Sequence, residues 1–262
     1  MEITKRHWVV AVVGLVIVIA LAFSLSEQAK APVSDDSSDT VSSTPDSLTE
    51  EAATSTDTVI KPFPINAVDT LVSWDFKGAY AGNDTLVTQA RADIKHLTDL
   101  LGKGQYDDYD LYNGIANDYS LLGDGRAAYQ NYTRAIQVHP SKGLVYVNLA
   151  HLLDQLGAKR TAADAYARAV TVEPGMLEYH IKRITFLTQQ FPNDSPIIIA
   201  ALTDASKQFG DNAPILGIEA QWLATQKRYA DAIKVWETVK MLSPESRQAA
   251  IDTEIARLKT KQ

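Results

Sequence analysis

The sequence predicts an all-α chain in which antiparallel helix pairs stack into a solenoid. Three observations carry this. The chain matches itself at one fixed step: Tyr112, Ile115, Ala116, Tyr119, Ala128, Tyr132, Ala135 and Pro140 recur thirty-four positions on as Tyr146, Leu149, Ala150, Leu153, Ala162, Tyr166, Ala169 and Pro174. A fixed period of this length marks units that bury an apolar face only by stacking on their neighbours. Each unit has a mid-point glycine, Gly123 and Gly157, where a left-handed residue can turn one helix into the next. Each also ends in a proline, Pro140 and Pro174, which cannot continue a helical ladder. Upstream, Val87, Ala90, Ile94, Leu97 and Leu101 recur at steps of three and four, the single apolar stripe of one more helix.

The chain begins differently. After residues 1–7, Trp8 to Leu25 runs without a charge. Its eighteen residues would rise about 27 Å as a helix, close to the ~30 Å hydrocarbon core. Lys5 and Arg6 precede it and acidic residues follow, so the positive-inside rule places the N-terminus in the cytoplasm and the rest of the chain outside. A cleaved secretory signal is the competing reading, with Ala20-Leu21-Ala22 as the small-residue site. The apolar run exceeds the roughly 7–15 residues of a signal core, which favours a single-pass anchor in contact with the bilayer over residues 8–25.

Residues 26–61 are Ser, Thr, Asp, Glu, Ala and Pro with little to bury. Such a stretch cannot offset its ordering entropy and is expected to be a disordered linker of roughly 30–35 Å end to end. The chain's net charge of −7 is concentrated there: residues 1–26 carry +1, residues 27–61 carry −6 and the remainder −2. An acidic chain argues against a nucleic-acid partner. The absence of cysteine excludes disulfides, thiol nucleophiles and Cys-ligated metal.

Residues 62–108 form an N-terminal cap region, in which Trp74, Phe76 and Tyr80 are the apolar groups expected to cover the open end of the array. Gly102 and Gly104 end the helix that follows. Residues 109–244 hold the repeats, best in 109–142 and 143–176. A degenerate third unit has a helix over Tyr179–Gln190, a break from Phe191 to Pro196 and a second helix over Ile197–Phe209. In the fourth, Ala220, Leu223, Tyr229, Ala232, Trp236, Val239 and Pro244 keep the offsets, with Lys227 at the turn glycine's place. Pro244 stands two positions further from Pro174 than two periods would put it, so the third unit holds a short insertion. Ser243-Pro244 is expected to start a C-terminal capping helix over 245–262, whose Ile251, Ile255 and Leu258 form a narrow stripe.

These offsets resemble the tetratricopeptide-repeat (TPR) family, of the membrane-anchored bacterial type. The resemblance implies a TPR-type α-solenoid that binds a protein or peptide along its inner face and does no chemistry itself. In the family that face is lined by the first helix of each pair. By offset, Asn113, Asn117, Asn148, His151, Asp154, Glu178 and Lys182 are the candidate groove residues. Members that grip a C-terminal carboxylate use two asparagines and three basic residues. Asn117 and Asn148 match the asparagines and Lys182 one cation, but Asn113 and Glu178 stand at the other two. A carboxylate needs charge-assisted donors, and Glu178 would repel it. An acidic C-terminal tail is therefore not the expected ligand.

Tyr229 to Glu237, together with the anchor and an external array, is similar to TPR subunits of bacterial cytochrome c maturation. Those present apocytochrome to a haem-attaching complex. An envelope assembly or structural factor is a further alternative. No cofactor or metal is expected, since His7, His96, His139, His151 and His180 make no metal-spaced pair. His180 takes a packing position. Asp107, Asp108 and Asp110 fit helix capping better than calcium binding. Neither a phosphate loop nor a nucleophile set stands out, so enzymatic activity is not expected. Asn83-Asp84-Thr85 and Asn131-Tyr132-Thr133 read as glycosylation sequons.

Overall fold

The computed structural model describes residues 62–262. The expected segment 1–7, the anchor 8–25 and the linker 26–61 lie outside the described residues. Among the described residues there are ten α-helices and no strand beyond a lone bridge between Asp75 and Asp124. None of these helices is long and apolar enough to cross a membrane.

Helix α1 (Asp84–Leu100) follows Asn83, whose side chain accepts a hydrogen bond from the Leu86 N–H. Four hairpins succeed it: α2 (Asp108–Leu122) with α3 (Gly125–Val138), α4 (Gly143–Gln155) with α5 (Lys159–Val172), α6 (Leu177–Gln190) with α7 (Ser195–Phe209), and α8 (Ala213–Thr225) with α9 (Tyr229–Leu242). Helix α10 (Glu245–Lys259) packs on α9. The turn residues Gly123, Gly157 and Lys227 all have positive φ, at 87°, 80° and 60°. Lys227 is the one non-glycine among the described residues to do so. Two boundaries differ from the sequence reading. Ser195 and Pro196 open α7, because proline is tolerated in a first helical turn. Ser243 ends α9, and Pro244 is the residue that caps α10.

Three hairpins close tightly and α6–α7 does not. The reason is legible position by position. Where the first helix carries Ala116, Ala150 and Ala220, α6 carries Ile184. Where the second carries Ala128, Ala162 and Ala232, α7 carries Ile198. All eight are buried. Alanine lets two backbones approach, whereas facing isoleucines hold them apart. Ile198 also stands two positions further from Ile184 than Ala128 does from Ala116, so the insertion lies in the 191–194 connection. That connection is held from both sides. Both terminal nitrogens of Arg160 donate to Asp194 Oδ2 at 3.0 and 3.1 Å. Trp222 Nε1 and Gln226 Nε2 both donate to the Pro192 carbonyl at 2.9 Å.

Residues 62–83 do not cover the open end as expected; α1 takes that place by packing on α2. The segment instead runs over the α2–α3 turn, α3 and the start of α5. Phe63 meets Tyr146 edge-on at 6.1 Å, Trp74 lies 5.1 Å from Tyr129, and the Trp74 carbonyl accepts from Gly125 N–H at 2.9 Å. Asp69 caps α5, accepting from Thr161 N and Oγ1 at 2.6 Å each and from Arg160 N at 3.1 Å. Burial raises the Asp69 pKa, but these donors outweigh it and hold the carboxyl below its usual value. An aromatic-rich segment can lie there because α3 and α5 leave a seam between them.

Candidate functional site

The first helices α2, α4, α6 and α8 touch one another in sequence, while the second helices make no comparable contact. A row that touches on one side and splays on the other curves toward the touching side. The first helices therefore line the inner surface.

Asn113 and Asn117 lie on α2, Asn148, His151 and Asp154 on α4, and Glu178 and Lys182 on α6. Asn148 Nδ2 donates to Asn113 Oδ1 at 3.1 Å, joining the first two helices of the row. Asn117 Oδ1 accepts from the buried Tyr132 hydroxyl at 2.6 Å, which fixes the amide and leaves its NH2 group for a ligand. Burial first, and the Asp118 charge second, push the Tyr132 phenol up, so it remains a neutral donor.

Each charged member sits in an ion pair. Asp154 pairs with Lys159 at 2.7 Å, and Glu178 with Lys182 one helical turn away at 3.3 Å. His151 reaches the surface, yet desolvation by the surrounding wall lowers its pKa. Lys182 lowers it further, against an opposing effect of Asp154. The imidazole is therefore neutral at physiological pH. The result is a surface of three amides, a neutral ring and three charged groups, each in an ion pair. It can exchange hydrogen bonds with a polypeptide backbone, and its one cation, Lys182, already faces Glu178.

Other expected residues serve structure. His180 is buried, meets Phe209 edge-on at 5.1 Å and hydrogen-bonds the Pro174 carbonyl at 3.0 Å. Asp107 caps α2 through Tyr109 N–H at 2.9 Å and also holds His139 at 2.9 Å and Lys142 at 3.2 Å. The backbone donor first, helped by Lys142 and His139, holds its carboxyl low against an opposing desolvation effect. Asn131 is buried with its amide donating to the Ala127 carbonyl, which removes it as a sequon, whereas Asn83 is exposed. Among the described residues no three potential metal ligands converge.

The C-terminal part of a TPR repeat-containing protein from Cytophaga hutchinsonii aligns at 18% identity over 68% of this chain and 69% of that one, with a TM-score of 0.53. The fold is that of a tetratricopeptide-repeat array. BtubC from P. vanneervenii aligns at 14% identity over 69% of this chain and 84% of that one, with a TM-score of 0.50. YrrB, a TPR protein with an unusual peptide-binding site, aligns at 15% identity over 65% and 86%, with a TM-score of 0.47. No family model matches the chain, and no curated protein matches its sequence.

The tetratricopeptide register adds residues that sequence reading left out. Asn117 and His151 correspond to Thr185 on α6 and, past the short insertion, to Gln221 on α8. Asn148 and Lys182 correspond to Ile218, and Asn113 to Val147, Ile181 and Gly217. The inner surface thus turns from amides on α2 and α4 to Gly217 and Ile218 on α8, with Gln221 the one amide there. The insertion hid this, because a strict repeat step from α6 falls two positions short on α8.

Proposed function

We propose that this protein is a scaffold that holds an extended polypeptide segment of a partner along the inner surface of α2, α4, α6 and α8. It acts from a membrane anchor on the non-cytoplasmic side and catalyses nothing. The observation that carries the reading is the amide set on adjacent first helices, with Asn148 bonded to Asn113 and Asn117 oriented by a buried tyrosine. Oriented amides reward a ligand that supplies alternating carbonyl and N–H groups, which an extended chain does. Stacked helices supply the rigidity, so little ordering entropy is lost on the receptor side. The anchor and its orientation rest on Trp8–Leu25 and the flanking Lys5 and Arg6.

The test is a cross-linked pull-down of the full-length protein against an Asn117→Ala/Asn148→Ala/Lys182→Glu variant of matched helicity. A partner lost from the variant supports groove recognition. Partners unchanged by it remove the inner surface as the site. The identity of a lost partner separates the narrower forms: an apocytochrome selects cytochrome c maturation, a wall or secretion component selects envelope assembly. The stretch Tyr229–Glu237 that resembles cytochrome c maturation subunits lies in α9, where Ala232 and Ile233 are core residues.

A further inference from the structure

The seam between α8, α9 and α10 is not filled. A cleft of about 290 Å³ lies there, bounded by Gly217 and Ile218 of α8, Trp236 of α9, and Ala250, Ile251 and Arg247 of α10. Three features set it apart from ordinary imperfect packing. First, glycine opens it. The register that holds Asn113, Val147 and Ile181 in the other units holds Gly217 here, and a Cβ built on it would meet one atom, the Trp236 ring edge, at 4.0 Å. Second, the Trp236 indole N–H is buried without a hydrogen-bond partner, while the Trp222 indole donates to the Pro192 carbonyl at 2.9 Å. A buried donor left unmatched costs stability, so the wall that Trp236 forms is loosely satisfied. Third, Arg247 makes no ion pair among the described residues, whereas on the same helix Asp252 is bonded to Lys240 and Glu254 to Arg257.

We infer that this cleft is a receptor for one large apolar side chain in an acidic segment of a partner polypeptide. The inference rests on the groove reading, since Gly217, Ile218 and Gln221 continue the inner row, and it names the end at which the segment is anchored. The volume is at the small end of ligand sites, roughly 300–1,000 Å³. That is room for a side chain and too little for a cofactor. The apolar walls, the Trp236 ring edge among them, take the side chain, and Arg247 takes a neighbouring carboxylate. The amide surface of α2 and α4 then receives the rest of the chain. This arrangement agrees with the position of Glu178 beside Lys182 at the other end: the negative charge of the ligand belongs at α10, not beside Glu178.

The probe is the peptide acetyl-Glu-Asp-Phe-Asp-Glu-amide, titrated into the full-length protein in detergent micelles. The readout is the indole N–H resonance of Trp236, assigned with Trp236→Phe. Gly217→Leu fills the cleft in open space and leaves the fold intact. The expected result is a saturable shift of the Trp236 resonance. Affinity should fall about tenfold or more in Gly217→Leu and several-fold in Arg247→Glu, and likewise when the probe's phenylalanine is replaced by alanine. No Trp236 shift at millimolar peptide, or equal affinity for Gly217→Leu, overturns the inference. So does a shift given by octanoate and not by the peptide, which would reassign the cleft to an acyl chain. In the pull-down above, a partner lost from the asparagine variant but kept by Gly217→Leu leaves the groove reading standing and this one failed. A partner lost from Gly217→Leu but kept by the asparagine variant does the reverse.

Discussion

Asp118 is the residue whose replacement tests the electrostatics of this array most directly. It lies on α2 at the position that carries Leu152 on α4 and Phe186 on α6, both buried. At Asp118 the neighbour is α1. Burial first, and the Asp93 carboxylate on α1 second, push the Asp118 pKa up from 3.8 to about 6. A carboxyl whose folded pKa is raised favours the folded, docked state while protonated. That contribution is complete below about pH 4 and is lost as pH rises through about 6. At pH 7.5 the ionised group therefore opposes docking of α1. A rise of this size corresponds to about 3 kcal/mol, and partial exposure reduces this to about 1–2 kcal/mol. Docking is weakly supported otherwise, since Ala90 is the sole fully buried residue of α1. Asp118→Asn should therefore raise hydrogen-exchange protection of α1 amides by about 5–30-fold at pH 7.5. At pH 4.5 most of that gain should vanish. The comparison of variant with wild type cancels the opposite trend from Asp69 and Asp107, whose pKa values are lowered. Equal protection in both proteins at pH 7.5, or the same gain at both pH values, would refute the reasoning.

Three further outcomes are expected. Lys227→Gly should stabilise the protein by about 0.5–1 kcal/mol, because a left-handed lysine is strained where glycine is not; urea unfolding followed by circular dichroism would show it as a higher midpoint. Asp69→Ala removes the cap of α5 and the tie to the 62–83 segment. It should cost about 1–2 kcal/mol and speed proteolysis within residues 62–83, read by mass of the fragments. Trp222→Phe deletes one of two donors to Pro192 while keeping the ring buried. A loss of about 1 kcal/mol is expected, with raised exchange at 191–194; no change there would mean that Gln226 alone holds the loop.

What was legible in the sequence follows the physics of repetition. Tyr112, Ala128 and Pro140 recur because each must fit the same neighbour geometry, so one period reveals helices, turns and ends together. Gly123 and Gly157 could be read because a left-handed turn nearly demands glycine, and Lys227 shows that the turn persists when the residue does not. The 62–83 segment was not legible in position. Phe63 and Trp74 announce burial, but their partners Tyr146 and Tyr129 lie more than a full repeat further along the chain, with no local pattern to name them. The Trp236 cleft was hidden for a related reason: Gly217 is informative only once the insertion in the third unit is placed.

That third unit repays its irregularity with an effect on the site. Ile184 and Ile198 separate α6 from α7, and the longer connection reaches outward to Arg160 on α5 and to Trp222 and Gln226 at the end of α8. The degenerate repeat is thus tied to the unit before and the unit after it, by an ion pair in which two guanidinium nitrogens share one carboxylate oxygen and by a carbonyl that accepts two donors. Such ties fix the step from α6 to α8 more firmly than regular alanine packing between neighbours would, because they are directional and span two unit boundaries. The step they fix joins the amide end of the inner surface, on α2 and α4, to the Gly217–Ile218 end, on α8. A segment bridging both ends would read the spacing between them, so loosening the 191–194 connection should weaken partner binding without touching any residue that contacts the partner. Asp194→Ala tests this: it should leave helicity unchanged and reduce capture of a groove-dependent partner several-fold, and undiminished capture would show that the two ends act independently.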